Sequence, residues 1–403
     1  MSTKLDKFVI STKLRNKYLI LLPYLIEVER RLHEESPLIQ VLLGPRQVGK
    51  TTTIEQLIAR RPHDSKHHYA SAEAVFRSDW SWIERQWQLA TAMGPKTLLV
   101  LDEIQKIENW SEMIKKLWDA NRRSPNCPKV ILLGSSSLAL QTGLSESLTG
   151  RFELIRAFHW NFPETQSAFN LTLDEFLSYG GYPGANPFRE DETRWLNYIR
   201  ASIVETVIEK DIAQLRRISR PALFKQVFEL VCSYPAREIS LRKIVGQLQD
   251  PGSIETVKHY IELLEGAFLI KTLQKFSTNT LQKKSSSPKI LPLCPALCSF
   301  ARGEVSYSKD ERGRLFELAV GLDLLRLPGQ TFYWRVDQIE VDYVYKSGSK
   351  LYAIEVKSGR KKSPHGLAKF KAQFAKAKCA IITPENYFDF ANSPQETLAK
   401  LTE

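Results

Sequence analysis

The sequence has few cysteines, and their number is odd. Its 403 residues contain five of them, spread along the chain at Cys127, Cys232, Cys294, Cys298 and Cys379. An odd and scattered set argues against a disulfide framework and predicts a reducing compartment. Cys294 and Cys298 stand close together, but no second pair completes a zinc site, so they are predicted to be small buried apolar residues.

The sequence also lacks an apolar run long enough to cross a membrane. Tyr18–Ile26 is apolar but too short for a bilayer, and the charged residues Glu27, Glu29, Arg30 and Arg31 follow it at once. No small-residue cleavage site follows, which favours an amphipathic leader helix over a signal peptide. The sequence therefore predicts a cytoplasmic protein without a membrane partner.

Acidic residues are outnumbered by basic ones. Lys and Arg total 57 against 45 Asp and Glu, which gives a net charge of +12 and a pI near 9.3. This excess favours a polyanionic partner such as nucleic acid. Internal repeats and long low-complexity segments are absent, and 43% hydrophobic residues are typical of globular protein. At 46.2 kDa the chain is predicted to form about two to three domains.

The first part of the chain alternates apolar runs with helical patterns. Leu38–Leu43 leads into GPRQVGKT, and Thr52–Arg60 follows with helical spacing. Thr97–Leu101 and Lys129–Leu133 have the length and branched residues of buried parallel strands, with a helical pattern at Ser111–Asn121 between them. This order predicts an α/β domain built on a parallel sheet.

The glycine-rich segment after the first apolar run has the pattern GxxxxGK[ST]. Its glycines let backbone N–H groups wrap phosphate oxygens, and the start of the following helix adds positive potential. Lys50 is predicted to reach the β- and γ-phosphates and Thr51 to offer a hydroxyl to Mg²⁺. The predicted nucleotide-binding residues of this segment are Gly44, Pro45, Arg46, Gln47, Val48, Gly49, Lys50, Thr51 and Thr52.

Two adjacent acidic residues end the second apolar run. Asp102 is predicted to be the second protein anchor of Mg²⁺, and Glu103 to polarise the water that attacks the γ-phosphate. Both halves of a site that hydrolyses ATP or GTP are therefore expected.

Two further positions are candidates for the same site. Ser135 is the candidate sensor of the γ-phosphate within a run of three serines, and the alternative is that these hydroxyls cap the following helix. Arg151 stands after a glycine and before another apolar strand. It is predicted to act as an arginine finger in a neighbouring subunit, or else to pair with Glu153 or another surface acid.

Residues 171–285 are predicted to be helical, with a helix-turn-helix near their end. Ile239–Leu248 and Ser253–Leu264 are the two helices, Asp250–Gly252 is the turn, and Phe268–Lys275 is a possible wing strand. The second helix mixes acidic with basic residues, which is a poor balance for phosphate contact. Binding of DNA and packing against protein are both left open.

The last third is predicted to follow the order αβββαβ, namely a helix from Gly313 to Leu327, strands at Phe332–Val336, Ile339–Tyr345 and Lys350–Val356, a basic helix at Pro364–Lys378 and a strand at Cys379–Thr383. A two-residue hairpin loop at positions 348–349 would place Asp342 opposite Glu355 and Glu340 opposite Lys357. Alternation puts these four on one face of the hairpin. The other face is then apolar and suited to burial, with Val341, Tyr343, Tyr345, Tyr352, Ile354 and Val356.

Two facing carboxylates with a lysine nearby have the chemistry of a Mg²⁺ or Mn²⁺ site that hydrolyses a phosphodiester. Asp342 and Glu355 would bind the metal, and Lys357 would orient the attacking water. The alternative is an ion pair from Glu340 to Lys357 across a solvated sheet face. Ten basic residues against one acid between Lys346 and Lys378 favour contact with a phosphate backbone, although a solvated helix face would give the same pattern.

Several motifs together resemble a known family. GPRQVGKTT, LLVLDEIQK, LGSSSL, SLTGR and FLSYGGYP are similar to prokaryotic AAA+-type ATPases with a C-terminal domain of unknown function, and RLFE, YWR, EVDYV and AIEVKSG resemble that domain and the PD-(D/E)XK nucleases. The resemblance implies an ASCE-type P-loop fold, ATP as the nucleotide and homo-oligomerisation. It also implies that Glu317, in the preceding helix, completes the metal site.

These observations predict three domains. Residues 1–170 are predicted to be the P-loop ATPase domain, 171–285 a helical and winged-helix segment, and 286–403 an α/β restriction-endonuclease-like domain. ATP hydrolysis would be coupled to a nuclease-like domain that contacts nucleic acid. The alternative is an ATP-dependent switch that binds a protein or DNA partner through a catalytically inactive nuclease fold.

Overall fold

The computed structural model of the protein describes residues 22–34, 38–74, 79–134, 140, 143–144, 147–212, 218–249, 252–277, 286–359 and 365–402. Within these ranges no helix is both long and apolar enough to cross a bilayer. The predicted leader helix lies partly outside them. Its described end belongs to α1 (Pro23–His33), which buries Leu25, Val28 and Leu32 against the first domain.

The first part of the chain is a parallel sheet covered by helices on both faces. After α1 it contains β1 (Ile39–Leu43), α2 (Lys50–Arg60), β2 (His67–Ser71), α3 (Ser81–Ala92), β3 (Leu98–Asp102), α4 (Trp110–Asn121), β4 (Lys129–Gly134) and β5 (Phe152–Arg156). The strand order is β2-β3-β4-β1-β5, and every pair is parallel. Every residue of β1 and β3 is buried because helices cover both faces. The predicted parallel α/β architecture is confirmed.

The two outer strands differ in how visible they are in the sequence. β5 is the apolar strand expected after Arg151. The sequence of β2, HHYAS, has no apolar run and was not predicted to be a strand. It lies at the edge of the sheet with half-exposed side chains, so its extended conformation depends on pairing with β3.

The middle part consists of short helices and a small sheet. It contains α5 (Phe162–Phe169), α6 (Leu173–Tyr179), a 3₁₀ helix (Pro183–Phe188), α7 (Glu192–Tyr198), a π-helix (Ile199–Ile212), α8 (Pro221–Ser233), β6 (Arg237–Glu238), α9 (Leu241–Val245), α10 (Ile254–Gly266), β7 (Ile270–Leu273), β8 (Lys289–Pro292) and α11 (Pro295–Arg302). The strands form an antiparallel sheet in the order β6-β8-β7.

The expected helix pair near residue 250 is present in the middle part. α9 is shorter than predicted, whereas α10 begins as predicted, with the Ser253 side chain accepting a bond from the backbone N–H of Thr256 at 3.1 Å. β7 occupies the place of the predicted wing strand. β8 and α11 share one core with the preceding helices, in which Ile290 and Leu297 pack with Phe228.

The last part is a four-stranded sheet flanked by helices. It contains α12 (Lys309–Leu325), β9 (Gln330–Val336), β10 (Ile339–Ser347), β11 (Lys350–Val356), α13 (His365–Gln373), β12 (Lys378–Ile382), α14 (Pro384–Asn392) and α15 (Pro394–Leu401). The strand order is β12-β11-β10-β9. The predicted succession αβββαβ is therefore present, followed by two further helices.

The predicted hairpin register is present where β10 and β11 pair. Tyr343 lies opposite Ile354 and Tyr345 opposite Tyr352. A register shift between Val341 and Val344 in the pairing of β10 with β9 interrupts the alternation. Val341 therefore packs with Val344 on the face opposite to Tyr343, and not beside it as predicted.

Candidate functional site

The P-loop, residues 44–51, joins β1 to α2 in a conformation that its sequence permits. Gly49 has a φ of +89°, which glycine adopts without strain, and Gln47 has a φ of +57°. A Cβ on Gly44 would lie 2.4 Å from the carbonyl oxygen of Ala157, so only glycine fits there. Lys50 Nζ donates to the carbonyls of Gly44 at 3.0 Å and Pro45 at 2.6 Å, inside the loop.

The end of β3 brings the two acidic residues to this loop. Thr51 Oγ1 donates to Asp102 Oδ2 at 3.1 Å, so the two predicted Mg²⁺ anchors are adjacent. Tyr69, which the sequence did not single out, donates to the same oxygen at 2.6 Å. Burial, together with the Asp102 carboxylate, raises the pKa of Tyr69, which keeps its hydroxyl a donor. The only possible signal was that β2 pairs with β3 and puts Tyr69 on the same edge.

Glu103 follows Asp102 in a left-handed conformation with a φ of +52°. Gln105 Nε2 donates to Glu103 Oε2 at 2.5 Å and fixes the direction of the carboxylate. Gln105 was not predicted, because a short 3₁₀ turn at Ile104–Lys106 carries it back to Glu103. Glu103 thus lines the same cavity as the P-loop, as its predicted role requires.

The nucleotide cavity has walls from two parts of the chain. Its volume is about 490 Å³, and besides P-loop residues, Asp102 and Glu103 it is lined by Ala201, Ser202 and Thr206 of the π-helix. Gln47 Nε2 donates to the Ser202 carbonyl at 3.1 Å, and Tyr198 donates to Gln47 Oε1. π-helical turns are rare and often occur at functional sites.

The residues around this cavity fit a nucleoside triphosphate with Mg²⁺. The loop conformation forms a phosphate cradle, Lys50 lies within it, and the Thr51 hydroxyl already touches the Asp102 carboxylate. Thr51 and Asp102 would hold the cation, which would neutralise phosphate charge. Of the remaining predicted residues, Thr52 also lines the cavity, whereas Ser135 lies outside the described residues.

Arg151 is not at the nucleotide site of its own chain. Its carbonyl accepts the backbone N–H of Ile39, so it lies at the amino end of β1, whereas the P-loop lies at the carboxyl end. Its guanidinium binds Asp119 with two bonds of 2.9 and 2.8 Å. The alternative of a surface ion pair is therefore correct within one chain, with Asp119 and not Glu153 as the acid. A role in a neighbouring subunit stays a prediction.

The second predicted site lies where β10 and β11 approach α12. Asp342 Oδ2 accepts the backbone N–H of Val356 at 2.7 Å, and Lys357 Nζ binds Glu355 Oε1 at 2.5 Å. Burial and the carboxylate of Glu317 raise the pKa of Asp342. Glu317 and Glu355 are thus near enough to Asp342 to act on its pKa, and the predicted role of the three residues in binding a metal stays a prediction.

Glu340 does not pair with Lys357, which corrects the predicted alternative. Its carboxylate binds Arg335 at 2.8 Å across the β9–β10 pair. The register shift in this pair lies just beyond Glu340 and the Lys357 ammonium turns to Glu355, so the two side chains have different partners.

The three carboxylates do not form a metal-binding group in this conformation. Within the described part of the chain, no group of three or more His, Cys, Asp or Glu side chains is arranged to hold a metal ion. The oxygens of Glu317 are instead bound by cations: the buried Lys289 binds Glu317 Oε1 and the carbonyl of Asp342, and Arg314 binds the other Glu317 oxygen at 2.9 Å. Lys289 was missed because it lies in the short strand β8, far away in sequence.

The basic stretch of the last part is mostly exposed. Arg360, Lys361 and Lys362 lie outside the described residues. Lys357 is half-buried, and the remaining members are exposed, namely Lys346, Lys350, Lys369, Lys371, Lys376 and Lys378. An exposed lysine surface of this kind has the charge needed for contact with phosphates.

Three family matches follow the same three parts of the chain. Residues 36–166 match the family described as an AAA domain. Residues 170–304 match a domain of unknown function, DUF8612, and residues 312–395 match another, DUF4143. The P-loop, the acidic pair and the parallel sheet, taken with the first match, define an AAA+-type P-loop ATPase domain.

Relatives that match most of this chain are found in bacteria and archaea. An uncharacterized protein of Methanocaldococcus jannaschii is 24% identical over 330 residues, which is 76% of this chain and 71% of the relative. A protein of Haemophilus influenzae is 23% identical, and the match covers 80% of this chain and 83% of the relative. A protein of Mycobacterium tuberculosis is 26% identical, and the match covers 81% of this chain and 72% of the relative.

Three solved structures have remote similarity to this chain. The Walker-type ATPase of Pyrococcus abyssi has a TM-score of 0.46 at 16% identity and covers 69% of this chain and 94% of its own. The RuvB branch migration motor of Thermotoga maritima has a TM-score of 0.32 at 16% identity, and the match covers 64% of this chain and 92% of that one. The Orc1 protein of Aeropyrum pernix, solved in complex with DNA, has a TM-score of 0.30 at 14% identity, and the match covers 70% of this chain and 93% of that one. Similarities this remote do not transfer a partner to this chain.

Proposed function

We propose that this chain binds and hydrolyses ATP and that the state of its nucleotide site is passed to its C-terminal part. The observation that carries this proposal is that two adjacent residues, Trp160 and Asn161, contact the nucleotide site and the C-terminal part respectively. Trp160 Nε1 donates to the P-loop carbonyl of Val48 at 3.0 Å. Asn161 Nδ2 donates to Asp323 Oδ1 at 3.0 Å and to the carbonyl of Ala391 at 2.9 Å. A displacement of the P-loop would therefore move α12 and α14.

The residues of the nucleotide site divide the chemistry of hydrolysis. Lys50 would exchange its bonds to loop carbonyls for bonds to phosphate oxygens, and its ammonium would stabilise the charge that develops there. Glu103 would hold the attacking water and take its proton, while Gln105 keeps the carboxylate in direction.

The middle part supplies a second route from the nucleotide site. The P-loop residue Gln47 is held by Tyr198 and Ser202, which lie at the junction of α7 and the π-helix. A phosphate that displaces Gln47 would therefore release the start of the π-helix. We also propose that α8 to β8 form a winged-helix unit and that the parts divide near residues 170 and 304, because β8 and α11 share the core of the middle part.

The coupling is tested with Asn161→Ser. Serine still caps α5, as the Asn161 side chain does now, but it lacks the amide that reaches Asp323. We expect ATP turnover within about twofold of wild type, while the ATP-dependent change in hydrogen exchange of α12 and α14 is lost. Thr172→Ser, a change at the cap of α6, is the matched control. An ATP response of α12 that survives in Asn161→Ser would contradict the proposal.

A second candidate function is metal-dependent cleavage of nucleic acid bound to the exposed lysines. It is favoured by the adjacency of Asp342, Glu355 and Lys357 on two paired strands. The test is incubation of circular and linear DNA with the protein, Mg²⁺ or Mn²⁺, with and without ATP. Cleavage that disappears in Lys357→Ala while ATP turnover persists would support a nuclease. Salt-dependent binding without cleavage would support a switch that holds nucleic acid.

A further inference from the structure

The ammonium group of Lys289 lies among the carboxylates of the last part, where a metal ion was predicted. Lys289 is 6% exposed and Glu317 is also 6% exposed, so both charges are removed from water. A buried charge is tolerated only when it is paired and hydrogen-bonded.

Three groups form a binding site for the Lys289 ammonium. Glu317 supplies a carboxylate oxygen, Asp342 supplies its backbone carbonyl at 3.0 Å, and the ring of Tyr343 lies 4.6 Å from Nζ. Tyr343 is itself fixed by a bond from its hydroxyl to the Glu317 carbonyl at 2.8 Å. Carboxylate, carbonyl and aromatic face are the partners that a desolvated ammonium prefers.

This cluster contains as many basic as acidic side chains. The acidic side chains are Glu317, Asp342 and Glu355, and the basic ones that bind them or lie between them are Lys289, Arg314 and Lys357. Hard divalent cations need several free oxygen ligands, at about 2.0 to 2.6 Å. Both oxygens of Glu317 are taken by cationic side chains, so a metal bound by Glu317 would have to displace the buried Lys289 or Arg314.

We propose that Lys289 replaces the metal ion of this cluster, so that the cluster is a metal-independent joint. This argues against metal-dependent cleavage, the second candidate function above. Lys289 lies on β8, which pairs with β6 and β7 of the middle part, whereas Glu317 and Asp342 belong to α12 and β10. The ammonium therefore ties the middle part to the last part through buried charge. This inference does not depend on ATP hydrolysis, because none of its contacts involves the nucleotide site.

The first test measures Mn²⁺ binding by electron paramagnetic resonance in the absence of nucleotide. The full-length protein carries Asp102→Asn, which removes the acidic anchor at the P-loop. We expect no saturable binding, or binding that Asp342→Asn leaves unchanged. Saturable binding that Asp342→Asn abolishes would overturn the proposal.

The second test exchanges the ammonium itself. Lys289→Met in the same background leaves carboxylates without their cation, and we expect its melting temperature to fall by on the order of 10 °C. Mn²⁺ should then bind and restore part of this loss. The matched control is Lys271→Met, because Lys271 also pairs with a glutamate, Glu265, but its side chain is 49% exposed. A folded Lys289→Met protein that binds no Mn²⁺ would contradict the proposal, and if this variant does not fold, the first test decides.

Discussion

At the scale of single residues, Glu103 has a backbone conformation that costs energy. Its φ of +52° is in the left-handed region, which a residue with a side chain rarely adopts. Strain of this kind is retained where the surrounding structure needs it, often at active sites. Here it directs the carboxylate towards the P-loop cavity, where Gln105 holds it.

Glu103→Gln should therefore separate binding from hydrolysis. Glutamine keeps the size of the side chain but cannot take a proton, so ATP should still bind while turnover falls by about 10² to 10⁴. Lys50→Ala is the contrasting variant and should lose binding itself. Both are measured with a fluorescent ATP analogue and a phosphate-release assay. Turnover of Glu103→Gln equal to wild type would show that another group is the base.

The residues of the nucleotide site could be predicted only where the chemistry is local in sequence. Lys50 and Thr51 follow from one motif, and Asp102 follows because the carboxyl ends of parallel strands meet at one edge of a sheet. Tyr69 and Trp160 come from other segments and reach the site through tertiary contacts. Nothing in their own neighbourhood marks them as part of it.

At the scale of elements, the segment Gly180–Pro183 packs closely against His159 and Trp160. The backbone N–H of Trp160 donates to the Gly181 carbonyl at 3.1 Å, and a Cβ on Gly181 would lie 1.8 Å from the carbonyl oxygen of Trp160. Tyr182 bonds His159 at 2.9 Å, and burial lowers the pKa of this histidine to about 3. The segment therefore packs directly behind the P-loop contact of Trp160.

Gly181→Ala should disturb the packing of this segment against Trp160. The added methyl group cannot fit without a backbone shift, so the free energy of unfolding should fall by about 1 to 3 kcal/mol. ATP turnover should fall with it, because Trp160 supports the P-loop. Gly246→Ala is the matched control, since a Cβ there meets its neighbours at 3.5 Å or more. Unchanged unfolding and turnover in Gly181→Ala would show that the contact is not needed.

Elements were predictable where the hydrophobic pattern determines them. The register of β10 and β11 follows from a two-residue turn and from burial of one face, and Tyr343 and Ile354 pair accordingly. The shift after Val341 has no signature in the strand sequence, because bulges depend on the partner strand. The same limit explains why Glu340 binds Arg335 and not Lys357.

At the scale of the whole molecule, the three parts meet around a cavity of about 430 Å³. Its lining includes Pro45 of the P-loop, Phe268 of the middle part and Asp323 of α12. Asp323 is fully buried and accepts bonds from Asn161 at 3.0 Å and from Tyr387 at 2.8 Å. The residue that connects the C-terminal part to the nucleotide site is therefore a buried carboxyl group.

Burial raises the pKa of Asp323 to about 6 from an ordinary value of 3.8, while Arg326 opposes the rise and Glu164 adds to it. Between about pH 4 and 6 the folded chain holds a proton that the unfolded chain has released, so this group's contribution to stability falls as pH rises and is constant above that window. The full difference corresponds to about 3 kcal/mol at most.

Asp323→Asn should remove this pH dependence. The free energy of unfolding of wild type minus that of the variant should decrease from pH 4 to 7 and then level, as measured by urea unfolding at each pH. The difference cancels the other carboxyl groups, whose own titration raises stability over the same range. Asp337→Asn, whose side chain is 83% exposed in a turn, is the matched control for the exchange of a carboxyl group for an amide. A flat difference for Asp323→Asn would mean that this carboxyl group stays charged when buried and that Arg326 compensates it.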